Sequence, residues 1–88
     1  MSKRWVILFK ALGNINRLKI IKLLASGQSL SVTEITSAIK ISLNATSKHL
    51  IILSNLDVVE GTGRDGHVFY RLNPDLPKDI KSAINLFI

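Results

Sequence analysis

Apolar residues recur at helical spacing through the first two-thirds of the chain and alternate after it. Trp5, Leu8, Phe9 and Leu12 fall at i, i+3, i+4 and i+7, which predicts a core-facing helix over about residues 3–12. Val6 and Ile7 lie off that stripe, so the helix is apolar over more of its circumference than one contact requires, and a second buried surface is implied. Gly13-Asn14 ends it, and Asn14 or Asn16 can cap a second helix to about residue 25. Leu18, Ile20, Ile21, Leu23 and Leu24 leave only Lys19 and Lys22 as a polar strip there, so this helix should be the most buried.

After the break at Ser26-Gly27-Gln28, Ser31 and Glu34 have the spacing of a capping box, in which each side chain meets the other residue's backbone N–H. A short helix with Ile35, Ala38 and Ile39 inward follows and stops at Lys40-Ile41, and Ser42 can cap the next at once. Two short helices joined this tightly form a helix-turn-helix. At about 100° per residue, Leu43, Asn44, Ser47, Lys48, Ile51, Ser54 and Asn55 share one arc of the second helix. Ala45, Thr46, His49, Leu50, Ile52, Leu53 and Leu56 share the other, so one side docks the helix and the other is free.

Beyond Asp57 the period becomes two. "VVEGTG" and "HVFYRL" are β-branched and aromatic runs joined through Arg64-Asp65-Gly66, and Asp-Gly tolerates the positive φ of a tight hairpin turn. Such a hairpin after a helix-turn-helix is a wing. "NPDLP" resets the chain, Pro77 suits the first turn of a last helix, and Leu76, Ile80, Ala83, Ile84 and Phe87 form its stripe up to Ile88. The predicted fold is mainly α with a β-hairpin wing (α+β): four helices, the hairpin and a fifth helix in one winged helix-turn-helix domain over residues 1–88.

Composition changes the picture in three ways. With 88 residues the core is marginal for an isolated domain, so a second chain is expected to help bury it. The apolar runs "WVILF" and "LIIL" are far short of the roughly 20 residues of a membrane span, and Lys10 interrupts the one leader-like stretch, which predicts a soluble, unexported protein. Twelve Lys and Arg against six Asp and Glu give a net charge of +6, which points to a polyanionic partner. Lys3, Arg4, Lys10, Arg17, Lys19 and Lys22 all precede the first acid, Glu34.

Catalytic and metal chemistry find no residues to carry them. The chain has no cysteine and two histidines, with no His/Asp/Glu cluster at ligand spacing, so no metal or other cofactor is expected. It offers no nucleophile–base set or paired carboxylates, and "EGTGRDG" lacks the following helix of a phosphate-binding loop. An enzyme is not expected.

Three stretches together, "FKALGNINRLKIIKLL", "ISLNATSKHLIILSNLDVVEG" and "DGHVFYRL", resemble the ArsR-type winged-helix transcriptional regulators of bacteria and archaea. Ser42, Ser47, Lys48, His49 and Leu50 carry the most specific part of the likeness. The resemblance implies a helix docked in the DNA major groove, with Ser42, Asn44, Ser47, Lys48 and His49 facing DNA and Arg64 and His67 on the wing. It also implies a homodimer built on the terminal helices, about residues 3–12 and 76–88, with Trp5, Phe9, Ile80, Ile84 and Phe87 on the dimer side. Metal-sensing relatives carry a cysteine pair where this chain has Ser31 and Thr33, so control by thiophilic metal is not expected. A cytoplasmic, nucleoid-associated prokaryotic protein follows from the same likeness.

The contact residues have matching chemistry. Asn44, near the helix start, can pair with adenine N6 and N7, while Ser47 and Lys48 can reach phosphate or base. Leu43 and Ile51 can pack on thymine methyls, which predicts an A·T-rich site, and the homodimer that the resemblance implies makes that site pseudo-palindromic. Arg64 suits a phosphate or the minor groove, although Asp65 beside it repels phosphate. His49 has two readings, a phosphate donor or a histidine hydrogen-bonded within the fold, and His67 reads first as an exposed strand-end residue. The alternative function is a winged helix that docks a protein, with Leu43 and Ile51 as anchors.

Overall fold

The computed structural model describes residues 2–88. The chain order is α1 (Lys3–Leu12), α2 (Ile15–Leu24), β1 (Leu30–Ser31), α3 (Val32–Ile39), α4 (Leu43–Asn55), β2 (Val59–Arg64), β3 (His67–Leu72) and α5 (Lys78–Asn85). This is the winged helix-turn-helix arrangement expected from the sequence, with one strand added.

Short polar side chains start most of the helices. Asn14 Oδ1 accepts from the Asn16 and Arg17 N–H groups at 3.0 and 3.2 Å. The Ser31–Glu34 capping box is complete, with both reciprocal bonds at 2.9 and 3.1 Å. Ser42 Oγ accepts from Ala45 N–H at 3.1 Å and opens α4. Each satisfies a backbone donor that the first turn leaves without a helical partner. Lys40 ends α3 in the left-handed region at φ 59°, which turns the chain into Ser42 within two residues.

Thr46, the one buried polar residue among those described, joins α3 and α4. Its hydroxyl donates to the Ser42 carbonyl at 2.9 Å and accepts from the Thr36 hydroxyl at 2.8 Å. Both hydrogen-bonding capacities are used, so the group can be buried without leaving a polar atom unpaired. The angle between the two helices is thereby tied to a specific contact as well as to packing.

The sheet is antiparallel in the order β1-β3-β2. β2 and β3 pair from Val59↔Leu72 to Arg64↔His67, and Asp65 (φ 53°) and Gly66 (φ 78°) make the predicted two-residue turn. β1 pairs Leu30 with Tyr70 and Ser31 with Phe69. Two residues are too few for alternation to register, so this strand left no sequence signal of its own.

The core gathers Leu8, Ile20, Ile21, Leu24, Ile35, Leu50, Leu53, Val58, Val59, Ile80 and Ile84. Four expectations need correction. α1 turns Leu8 and Ala11 inward, while Trp5 and Phe9 stay 39% and 58% exposed, so the core stripe is rotated from the predicted one. Ala38 is exposed, because Thr36 and Ile39 are the residues α3 turns toward its neighbours besides Ile35. Ile80 and Ile84 are buried at 0% and 4% within their own chain, so they serve the core and leave no side chain for a dimer surface. α5 is also shorter than predicted: Pro77 caps it, and Phe87 lies beyond its last turn. Arg4 on α1 joins Asp79 on α5 at 2.9 Å, a link that sequence spacing did not suggest.

Candidate nucleic-acid interface

The two arcs of α4 separate as predicted. Thr46, Leu50 and Leu53 are buried and Ala45, His49, Ile52 and Leu56 are half-buried. On the opposite arc Leu43, Asn44, Lys48, Ile51 and Asn55 are exposed, with Ser47 and Ser54 half-buried. Leu43 and Ile51 stand 53% and 56% exposed, so the apolar pair on the polar arc is not accounted for by packing within the chain.

The wing meets this arc near the start of α4. Ser31, Val32 and Thr33 from the start of α3, Leu43 and Ser47 from α4, and Gly66, His67 and Val68 from the wing tip border one open groove of about 290 Å³. Two helix N-termini converge there: the start of α4 favours an anion through its first N–H groups, while the start of α3 already holds the Glu34 carboxylate in its capping box. Ser42 uses its hydroxyl oxygen as the α4 cap, which leaves its proton available outward.

Arg64 is held in place by the wing. Its guanidinium lies 4.8 Å from the Phe69 ring centroid, a cation–π arrangement, and the His67 ring meets Phe69 edge-on at 6.5 Å. Arg71, by contrast, is neutralised by Glu60, with Nε donating to Oε1 at 2.7 Å. Both arginines are exposed, and Arg64 is the one without a carboxylate partner among the described residues.

His49 does not sit with Ser47 and Lys48. Its Nδ1 accepts from Arg17 Nε at 3.2 Å, while Arg17 Nη1 donates to the carbonyls of Lys10 and Ala11 at 3.3 and 3.1 Å. Burial, followed by the adjacent Arg17 charge, holds the His49 pKa below its ordinary value, so the ring is neutral at neutral pH. Sequence reasoning missed Arg17. A cation in the first turn of a helix is disfavoured by the helix dipole, and that local conflict was the available sign of a tertiary partner. It also missed Lys40, which with Lys19 and Lys22 rims an open groove floored by Leu23, Ala38 and Ile39. Only the fold brings Lys40 to α2.

Ser31 and Thr33 lie at the α3 start, with Ser31 committed to its capping box. Among the described residues, no three His, Cys, Asp or Glu side chains come together as metal ligands, and no helix is long and apolar enough to cross a membrane.

A helix-turn-helix with one exposed polar arc, a wing beside it and net positive charge defines a nucleic-acid-binding class of fold. Residues 14–60 match the bacterial regulatory protein arsR family, and the chain belongs to that family. The arsenic resistance transcriptional regulator ArsR1 of Pseudomonas putida is 32% identical over 78 residues, covering 89% of this chain and 61% of that protein. The chain thus spans less than two-thirds of that relative. Among solved structures, HlyU from Vibrio cholerae superposes with a TM-score of 0.78 at 34% identity, covering 98% of this chain and 92% of that one. A homodimeric winged helix-turn-helix DNA-binding domain from Mycobacterium bovis gives 0.72 at 28% identity, covering 98% and 82%.

Proposed function

We propose that the protein is a homodimeric transcriptional regulator, a repressor, that binds a specific duplex site through the exposed arc of α4. The observation that carries this reading is the groove shared by the α3 and α4 N-termini and the wing tip, beside an α4 arc that offers Asn44 and Lys48 to solvent. Asn44 reads adenine, Ser42, Ser47 and Lys48 meet phosphate or base edges, and Arg64 follows the backbone or minor groove. His67, at the groove edge, is an auxiliary contact. Leu43 and Ile51 cover thymine methyls, which favours an A·T-rich site.

The homodimeric Mycobacterium bovis structure supports a two-chain assembly. Two copies of α4 would enter successive major grooves roughly 34 Å apart on a pseudo-palindromic site. The surface for pairing is α1, through Trp5 and Phe9, with Phe87 from the end of the chain. The absence of cysteine, with Ser31 and Thr33 at the family's thiolate positions, supports regulation by something other than thiophilic metal. The family's role in regulation supports a prokaryotic cytoplasmic setting on the nucleoid, and no catalytic role is proposed.

Selection of bound fragments from random duplexes, followed by titration of the enriched site, tests the reading. Enrichment of an A·T-rich inverted repeat is expected, and Asn44→Ala should relax preference at one position by about 1–3 kcal/mol. The alternative rests on the exposure of Leu43 and Ile51: with no duplex enriched, these two become anchors for a protein partner.

A further inference from the structure

Three elements meet at Arg17. The carbonyls of Lys10 and Ala11 lie in the last turn of α1, where helical partners run out, and the Arg17 guanidinium takes both. Its Nε donates at the same time to Nδ1 of His49 in the middle of α4. α1 and α4 do not close directly on one another here: an apolar cleft of about 350 Å³ lies between them, lined by Ile7, Ala11, Ile52 and Leu56, with Arg17 as part of its wall. The guanidinium is thus a polar bridge beside a gap in the packing.

A ring nitrogen that accepts a hydrogen bond carries no proton, so a neutral His49 has its proton on Nε2. No side-chain nitrogen or oxygen among the described residues is buried without a partner, so Nε2, which makes no hydrogen bond within the described chain, faces solvent. Other charges do not compete. Arg17 is the charged group acting on the ring from α2, α1 brings backbone carbonyls and the Lys10 side chain to the cleft, and Lys48 lies on the exposed arc of α4. No carboxylate among the described residues bears on the ring.

We propose that Arg17 is a positioning residue for the DNA-facing helix: it fixes His49 as the Nε2–H tautomer and couples the stance of α4 to the end of α1. This rests on the DNA reading of α4 and adds to it a path by which movement of α1, the proposed pairing helix, reaches the groove-facing arc. Protonation of His49 would put a proton on Nδ1, oppose the Arg17 N–H and open the bridge.

The test is nitrogen-15 NMR of His49 in the full chain, with duplex titration of the same proteins on the wild-type-selected site. The wild type should show the Nε2–H tautomer above the histidine titration range. Arg17→Gln should allow mixed tautomers, raise the His49 pKa and weaken duplex binding about tenfold. Arg17→Gln with His49→Leu should bind no worse than the weaker single variant, because both remove one bridge. His49→Asn, whose Oδ1 can accept from Arg17, should retain wild-type affinity to within about threefold. An Nδ1–H tautomer in the wild type, an unchanged ring in Arg17→Gln, or additive losses would overturn the proposal. If Arg17→Gln fails to fold, the wild-type tautomer and His49→Asn decide. Loss of duplex binding by the wild type itself would instead remove the DNA reading and the coupling with it, while the tautomer would still report the bridge.

Discussion

α4 exposes Leu43 and Ile51 to 53% and 56%, and α1 exposes Val6 and Phe9 to 42% and 58%, yet the two helices differ in what surrounds those side chains. On α4 the apolar pair stands among Asn44, Ser47, Lys48, Ser54 and Asn55. On α1, Trp5, Val6 and Phe9 share one exposed side, and the Trp5 and Phe9 rings lie 5.7 Å apart. Single exposed apolar residues are ordinary on protein surfaces, whereas a contiguous apolar patch marks an interface. Comparable exposure therefore carries different meanings: α4 is suited to a wet, charged partner and α1 to another apolar surface.

Four perturbations can break or sharpen this contrast. The largest effect is expected from Trp5→Glu with Phe9→Glu. These should leave the fold intact, shift sedimentation from a two-chain to a one-chain species, and weaken binding to an inverted repeat by roughly 10²–10⁴-fold through lost avidity. An unchanged mass would remove α1 from the pairing surface. Next comes Thr46→Val, which leaves the Thr36 hydroxyl without its acceptor and removes one of the two hydrogen bonds to the Ser42 carbonyl, the Thr46 backbone N–H keeping the other. A loss of about 1–3 kcal/mol in chemical denaturation is expected, and a neutral result would show that packing alone sets the helix-turn-helix angle.

The pH response is smaller and has a defined sign. His49 has a folded pKa below its unfolded value near 6.5, so the native state binds fewer protons there than the unfolded chain. Its contribution is complete above about pH 6.5 and is lost as pH falls through the lower folded value. Asp79, lowered chiefly by its Arg4 hydrogen bond, adds loss only in the acid range below the ordinary carboxylate values. Denaturation midpoints across this range check the sequence of events, and a midpoint that rises as pH falls from 6.5 would contradict it. The smallest stability effect belongs to Leu43→Ala and Ile51→Ala, expected within about 0.5 kcal/mol of wild type because both side chains are exposed. Duplex binding should weaken, and a thermal melt showing a core-sized loss would place these residues in packing.

Much of this contrast is legible in the sequence. The α4 arcs, the Ser31–Glu34 box, the Ser42 cap and the Asp65-Gly66 turn depend on neighbours within a few residues, where helical period and turn chemistry act directly. What escaped depends on residues far apart in the chain. β1 exists because Leu30 and Ser31 find Tyr70 and Phe69, and a two-residue strand has no pattern of its own. The Ile80–Ile84 stripe is amphipathic whether it faces a second chain or its own core, and only packing decides for the core. Helical period places His49 on the inner arc of α4 but cannot show Arg17, 32 residues away, so the sequence leaves its two roles open.

The central claim is that the exposed arc of α4 meets duplex phosphate and bases. Fluorescence anisotropy of the selected duplex, titrated with wild type and Lys48→Ala across a salt series, tests it most directly. Wild-type affinity should fall linearly on logarithmic axes, with a slope near −0.9 for each phosphate neutralised, and Lys48→Ala should make that slope shallower by about one. Saturable wild-type binding at low salt with the shallower variant slope is the predicted result. No binding at low salt, or identical slopes for the two proteins, would contradict the account.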